Sequence, residues 1–194
     1  MRVLLNVPML EQEIKLQFQN LQTARATVAA AGGCLVVPRR LIDDQLFDTP
    51  DGRLGRAGTA LRLRRDHDRA VLTVKGPVLP GPVKSREEFE TSIGDARIAE
   101  AMLAALGFLP YFRAQKYREE YVIGPTHLMV DDAPVGVFIE VEGTPEEISR
   151  VSALLGRTPD DYRLESYMGL WRRRCQDNGI AEPADMLFDG SATE

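Results

Sequence analysis

Apolar and charged positions alternate with period two along much of this chain, and the polar half of the pattern is unusual. Residues 10–18 place Gln12, Ile14 and Leu16 on one face of an extended segment and Glu11, Glu13 and Lys15 on the other. The habit returns further on. Residues 59–65 set Arg62 and Arg64 against Leu61 and Leu63, residues 70–75 set Thr73 and Lys75 against Leu72 and Val74, and residues 85–91 align Arg86, Glu88 and Glu90. Residues 111–123 align Lys116, Arg118 and Glu120, and residues 136–143 set Phe138, Glu140 and Glu142 against Val137, Ile139 and Val141. With residues 35–38, 41–48 and 126–131 the pattern predicts about eight strands.

Between the strands the period changes to that of a helix. Asn20 is placed to cap a helix carrying Leu21, Ala24, Val28 and Ala31, which Gly32-Gly33 ends. Asp95 caps a second, to residue 106, with Ile98, Met102 and Leu106 as its expected buried stripe. Thr144 followed by Pro145-Glu146-Glu147 opens a third, ending near Gly156. A fourth spans residues 165–177, with Tyr167, Leu170 and Trp171 at helical spacing. Thr49-Pro50-Asp51-Gly52 reads as a turn, and the residues after Asn178 are mixed and read as mostly irregular.

An apolar strand face must be buried, and amphipathic helices can bury it. The charged faces therefore point away from the helices, either to water on one side of an open sheet or into the lumen of a closed barrel. Acids and bases together in a lumen suit a polyanion with a divalent cation. Lys and Arg grip phosphate oxygens, and carboxylates hold Mg²⁺ or Mn²⁺.

Composition narrows the picture only a little. The chain has 194 residues and a formal net charge of −5, which argues against a nucleic-acid binder with a broad basic surface but leaves room for a local basic cavity. No apolar run reaches membrane-spanning length, and no basic segment followed by an apolar one opens the chain. Cys34 and Cys175 form no metal or redox motif. Reduced thiols and a cytoplasmic location are expected, with neither nucleic acid nor membrane as partner. His67 is expected to be solvated at a hairpin tip, Trp171 to be in the core, and Arg39-Arg40 to lie on the surface. Asp131 fits a lumen mouth and a turn equally.

The ordered series of charged segments resembles the CYTH superfamily, the triphosphate tunnel metalloenzymes. It starts with Glu11-x-Glu13-x-Lys15 and Asp44-x-x-x-Asp48-Thr49-Pro50. Leu61-Arg62-Leu63-Arg64 and Leu72-Thr73-Val74-Lys75-Gly76-Pro77 follow. Arg86-x-Glu88-x-Glu90, Lys116-x-Arg118, Gly136-x-Phe138-x-Glu140-x-Glu142 and Ser166-Tyr167 complete it. The resemblance covers residues 9–172 and implies an α+β fold: an eight-stranded antiparallel β-barrel with a charged lumen and helices packed outside. It implies a single domain over residues 1–178, with residues 179–194 as a tail. It also implies Mg²⁺ or Mn²⁺ on Glu11, Glu13, Glu140 and Glu142. The triphosphate ligands would be Lys15, Arg62, Arg64, Lys75, Arg86, Lys116 and Arg118, and the catalytic groups Lys75, Glu88 and Glu90.

The activity so implied is metal-dependent hydrolysis of a small triphosphate: inorganic triphosphate, thiamine triphosphate or a nucleoside triphosphate. The rival is a class IV adenylate cyclase making cyclic AMP and pyrophosphate. A non-catalytic polyphosphate- or nucleotide-binding module is a third option, and a homodimer is compatible with all three. Two departures bear on the choice. The segment Asp44-Gln45-Leu46-Phe47-Asp48 lacks the tyrosine that many members carry there, and Leu5-Asn6 stands where class IV cyclases have His-Phe.

Overall fold

A computed structural model describes residues 9–67, 69–180 and 185–189. Leu5-Asn6 lies outside the described residues. The strands are β1 (Met9–Phe18), β2 (Cys34–Asp48), β3 (Ala60–Asp66), β4 (Arg69–Lys75), β5 (Lys84–Ile93), β6 (Leu109–Ile123), β7 (Thr126–Ala133), β8 (Gly136–Glu142) and β9 (Tyr162–Arg163). The helices are α1 (Leu21–Ala30), α2 (Arg53–Arg56), α3 (Ala96–Ala105), α4 (Pro145–Leu154) and α5 (Tyr167–Asp177). The sheet runs β5-β4-β3-β2-β6-β7-β8-β1, and β1 pairs back to β5, so eight antiparallel strands close a barrel. Closure leaves no long free edge. Glu13 pairs with Lys84 of β5 on one edge of β1 and with Glu142 of β8 on the other. Beyond β5 the short β9 continues that first edge at Lys15 and Leu16.

The alternation sorts the side chains as its period requires. Ile14, Leu16, Leu128, Val130, Ile139 and Val141 face outward and are buried under α1 and α4. Leu61, Leu63 and Phe47 face outward under α3. Local chemistry fixes where these helices begin. The Asn20 carboxamide oxygen accepts from the Thr23 amide at 2.8 Å, and Asp95 accepts from Arg97 and Ile98. Thr144 and Glu147 form a reciprocal capping box behind Pro145.

Three expectations about packing are corrected. The α3 stripe of Ile98, Met102 and Leu106 faces water, at 59%, 61% and 72% exposure, while Ala99 and Leu103 are buried. Both rows have helical spacing, and the small side chain of Ala99 is on the row that meets the barrel. Arg40 is not a surface residue. Its guanidinium is half-buried between Asp66 and Glu120, in the lumen-facing phase of β2. A register shift between Val37 and Arg40 resets that phase. Finally, the two segments expected at 35–38 and 41–48 are one strand.

The residues past Asn178 are not wholly irregular. The edge of β6 opposite β2 is paired with β7 only from Tyr117 onward. Met186 fills part of the remainder, accepting from Gln115 at 2.8 Å and donating to Arg113 at 2.9 Å. Its side chain is buried with Phe112, Val135 and Phe138. Tyr167 and Trp171 of α5 pack on the same cluster, and Arg174 donates to Pro134 O at 3.0 Å. α5 thus lies across the end of the barrel marked by the β7–β8 turn, covering lumen-phase side chains.

Candidate active site

All the residues singled out from the sequence line one cavity of about 1020 Å³ inside the barrel: Glu11, Glu13, Lys15, Arg62, Arg64, Lys75, Arg86, Glu88, Glu90, Lys116, Arg118, Glu140 and Glu142. Strand register explains the convergence. Lys15 lies opposite Glu140, Glu13 opposite Glu142, Lys75 opposite Glu88 and Glu11 opposite Arg86.

The side chains form layers of ion pairs. In the first, Asp131 is fully buried and accepts two 2.7 Å bonds from Arg118, one of 2.8 Å from Lys116 and one of 2.7 Å from the Tyr167 hydroxyl. Arg118 also reaches Glu140. Lys15 bridges Glu13 and Glu140 at 3.1 Å each, and Lys84 reaches Glu13 at 2.6 Å. In the next layer Arg64 is bidentate to Asp44 at 2.7 and 2.9 Å. Lys75 reaches Glu11 at 2.6 Å and Glu88 at 3.1 Å. Arg62 donates to Thr73 at 3.1 Å and lies 3.7 Å from Glu90, and its buried Nε makes no hydrogen bond, facing Asp44 at 4.0 Å. Arg86 spends its donors on the carbonyls of Gly76, Gly58 and Lys75, bracing the start of β3 and the end of β4.

Four residues belong to this constellation beyond those expected. Asp44 and Lys84 share the lumen phase of β2 and β5, and Lys84 lies just before the point where the sequence pattern began the strand. Asp131 is a lumen residue, not a turn residue. Tyr167 projects from α5, its ring 4.3 Å from Lys116 Nζ and 5.3 Å from Lys15 Nζ.

Charge regulation follows from these contacts. Burial alone would raise the Glu13 carboxyl, yet Lys15 and Lys84 outweigh it and hold it well below the usual range. Burial opposes the charge on Lys15 too, and Glu13 and Glu140 still raise it. Burial and then Arg118 push Lys116 down to about 8. Glu142 differs from the other acids. It makes no ion pair among the described residues, and burial together with Glu11, Glu13 and Glu140 pushes it up to about 7.

That last feature tests whether a divalent cation suits the site. Among the described residues no three carboxylates gather closely enough to hold a metal as they stand, because Glu11, Glu13 and Glu140 are turned to lysines and arginine. The donors are nevertheless of the right kind: hard carboxylate oxygens on adjoining strands. They surround Glu142, an acid that no ion pair among the described residues neutralises, and a cation would stabilise its charge. The residues present fit Mg²⁺ or Mn²⁺.

A closed eight-stranded antiparallel barrel whose lumen carries layers of ion pairs is a tunnel fold. A CYTH domain family model matches residues 9–157, and the chain belongs to that family. It is similar to a Methanocaldococcus jannaschii protein named as a candidate adenylate cyclase, 26% identical over 148 residues, 76% of this chain and 84% of the relative. A Vibrio parahaemolyticus structure, also named as a candidate adenylate cyclase, superposes with a TM-score of 0.74 at 21% identity, over 84% of this chain and 98% of that one. The Hippeastrum protein HpAC1, described as a candidate adenylyl cyclase with a dominant triphosphatase activity, gives 0.63 at 21% identity, over 84% and 96%. No helix among the described residues is long and apolar enough to cross a membrane.

Proposed function

We propose that this chain is a divalent-metal-dependent triphosphatase that hydrolyses a small triphosphate in its tunnel. The observation that carries the reading is the meeting of Arg62, Arg64, Lys116 and Arg118 with Glu11, Glu13, Glu140 and Glu142 in one lumen. Bare anion binding has no use for so many carboxylates, since in the free protein they neutralise the cations that would bind the anion. Glu11, Glu13, Glu140 and Glu142 would hold Mg²⁺ or Mn²⁺, which supplies charge neutralisation on the phosphate oxygens when bound. Lys15, Arg62, Arg64, Lys75, Arg86, Lys116 and Arg118 grip and orient the triphosphate. Arg62 is the most available of these, because its carboxylate neighbours Asp44, Glu88 and Glu90 stand at 3.7–4.0 Å, beyond hydrogen-bond distance. Glu88 and Glu90, beside Lys75 and Arg62, orient the attacking water. Catalysis of phosphoryl transfer is largely such positioning and charge stabilisation.

The cyclase names of the relatives favour a second reading, in which ATP gives cyclic AMP and pyrophosphate. Leu46 bears on the first. It faces the lumen where many family members present a hydroxyl, so hydrolysis here proceeds without a Tyr–Lys75 pair. The test is to incubate the full chain with tripolyphosphate and Mg²⁺ or Mn²⁺ and measure orthophosphate. Release that needs the metal supports the reading. Its absence, with cyclic AMP formed from ATP, supports the rival.

A further inference from the structure

Residues 185–188 run parallel to β6 along the stretch that walls one end of the lumen. Arg113 donates its amide to the Asp185 carboxylate at 2.7 Å, Met186 donates to Arg113 O at 2.9 Å, and Gln115 donates to Met186 O at 2.8 Å. Further along, the Phe188 ring lies 5.1 Å from that of Tyr117. Between Arg113 and Gln115 stands Ala114, which lines the lumen together with Phe112. The family match ends at residue 157, so this segment lies beyond the matched domain.

Met186 ties the segment to α5. Its buried side chain shares one apolar cluster with Phe112 and Phe138 of the barrel and with Tyr167, Leu170 and Trp171 of α5. Side chains hold α5 in place: that cluster, the Tyr167 hydroxyl on Asp131, and Arg174 on Pro134 O. The start of α5 lines the lumen, where the Tyr167 ring lies 4.3 Å from Lys116 Nζ and 5.3 Å from Lys15 Nζ. Local opening costs only the contacts that it breaks, so a helix held in this way lifts more readily once part of its cluster is withdrawn. Lys116 and Lys15 are the cations that such a movement uncovers.

We propose that residues 185–188 are a strap that holds α5 across the lumen and governs access to Lys116 and Lys15. Its consequence, regulated entry and release of the ligand, rests on the triphosphate reading above. The chain carries its own reporter groups: all four of its lysines, Lys15, Lys75, Lys84 and Lys116, line the lumen. Acetylation by a small amine reagent, read by peptide mass spectrometry, therefore follows the lumen residue by residue. Lys84 is the internal reference, because it is buried like Lys116 but pairs with Glu13 of β1.

The full chain is compared with Met186→Ala, Asp185→Ala and Leu103→Ala, each without ligand and with tripolyphosphate and Mg²⁺. Leu103→Ala also truncates a buried side chain, but in the separate cluster under α3. Without ligand, acetylation of Lys116 relative to Lys84 should rise at least about fivefold in Met186→Ala. It should rise by less in Asp185→Ala, which loses one hydrogen bond and keeps the apolar contact. Leu103→Ala should not raise the ratio, since general unfolding exposes both lysines alike. A ratio in Met186→Ala that stays at the parent's value overturns the strap, and so does a rise that Leu103→Ala matches. If Met186→Ala does not fold, Asp185→Ala decides: a raised ratio supports the strap and an unchanged one overturns it. Tripolyphosphate with Mg²⁺ should slow acetylation of Lys116 in the parent. Absence of that protection counts against the triphosphate reading, and the ligand-free comparison still decides the strap.

Discussion

Asp131→Asn is the perturbation that bears hardest on the lumen. Asp131 is fully buried and is the shared acceptor for Arg118, Lys116 and Tyr167. The substitution keeps the volume and removes the charge. Arg118 and Lys116 then have Glu140 as their remaining acidic partner in the structure, and Glu140 also serves Lys15. Removing one partner of a buried ion pair costs about 3–5 kcal/mol. For a domain of this size each kcal/mol lowers Tm by about 2–4 °C, so the expected fall is about 6–20 °C. Differential scanning calorimetry without ligand reads it. Tripolyphosphate then adds a second arm, because a polyanion supplies negative charge to the same two cations. The ligand-induced rise in Tm should be larger in the variant than in the parent. A loss of less than about 2 °C, with equal ligand increments in both proteins, would refute the view that this cluster both holds the fold and faces the ligand.

The other predictions are simpler. Glu13→Gln and Lys75→Ala should each abolish triphosphate turnover while circular dichroism stays native, and full activity in both would remove the site assignment. Asp44→Asn should flatten the acid limb of the stability curve. Burial would raise this carboxyl, but Arg64 and Arg62 hold it well below its usual range. Its stabilisation is thus complete above an unfolded pKa of about 3.9 and is lost as pH falls below that. Denaturant titrations from pH 6 down to pH 2 would show equal slopes in both proteins if the pair is idle. On α3, Leu103→Ala should cost about 2–5 kcal/mol. Met102→Gln, on the exposed row, should change stability by no more than about 0.5 kcal/mol. The reverse order in urea unfolding would mean that the helix is rotated. Met186→Ala should cost about 2–5 kcal/mol if the tail completes the β6 edge, and an unchanged Tm would show that the tail contributes nothing.

Much of this arrangement was legible in the sequence, for a physical reason. A strand has a side-chain period of two, so a closed barrel must present every second residue to its lumen. Glu11-x-Glu13-x-Lys15 and Arg62-x-Arg64 mark that charged face, although the period by itself suits the wet side of an open sheet as well as a lumen. Asn20, Asp95 and Thr144 announce helix starts because each satisfies amides that nothing else reaches. What stayed hidden has physical reasons too. On α3 two rows have equal helical spacing, and hydrophobicity favours Ile98 and Met102, whereas close packing favours Ala99 and Leu103. Arg40 was obscured by the register shift before it, which breaks the phase on which the strand pattern depends. Asp131 was masked by Asp132-Ala133-Pro134, whose turn chemistry begins within two residues of a buried lumen acid. Tyr167 reaches the lumen from a helix laid across the barrel end, a contact no local period encodes.

If this lumen directs water to a triphosphate, a ³¹P NMR time course of the full chain with Mg²⁺ and, in separate samples, tripolyphosphate and ATP reads it. The predicted result is orthophosphate growing in at least one sample, together with pyrophosphate from tripolyphosphate or ADP from ATP. Pyrophosphate growing with cyclic AMP from ATP, or no change in either spectrum, would contradict it.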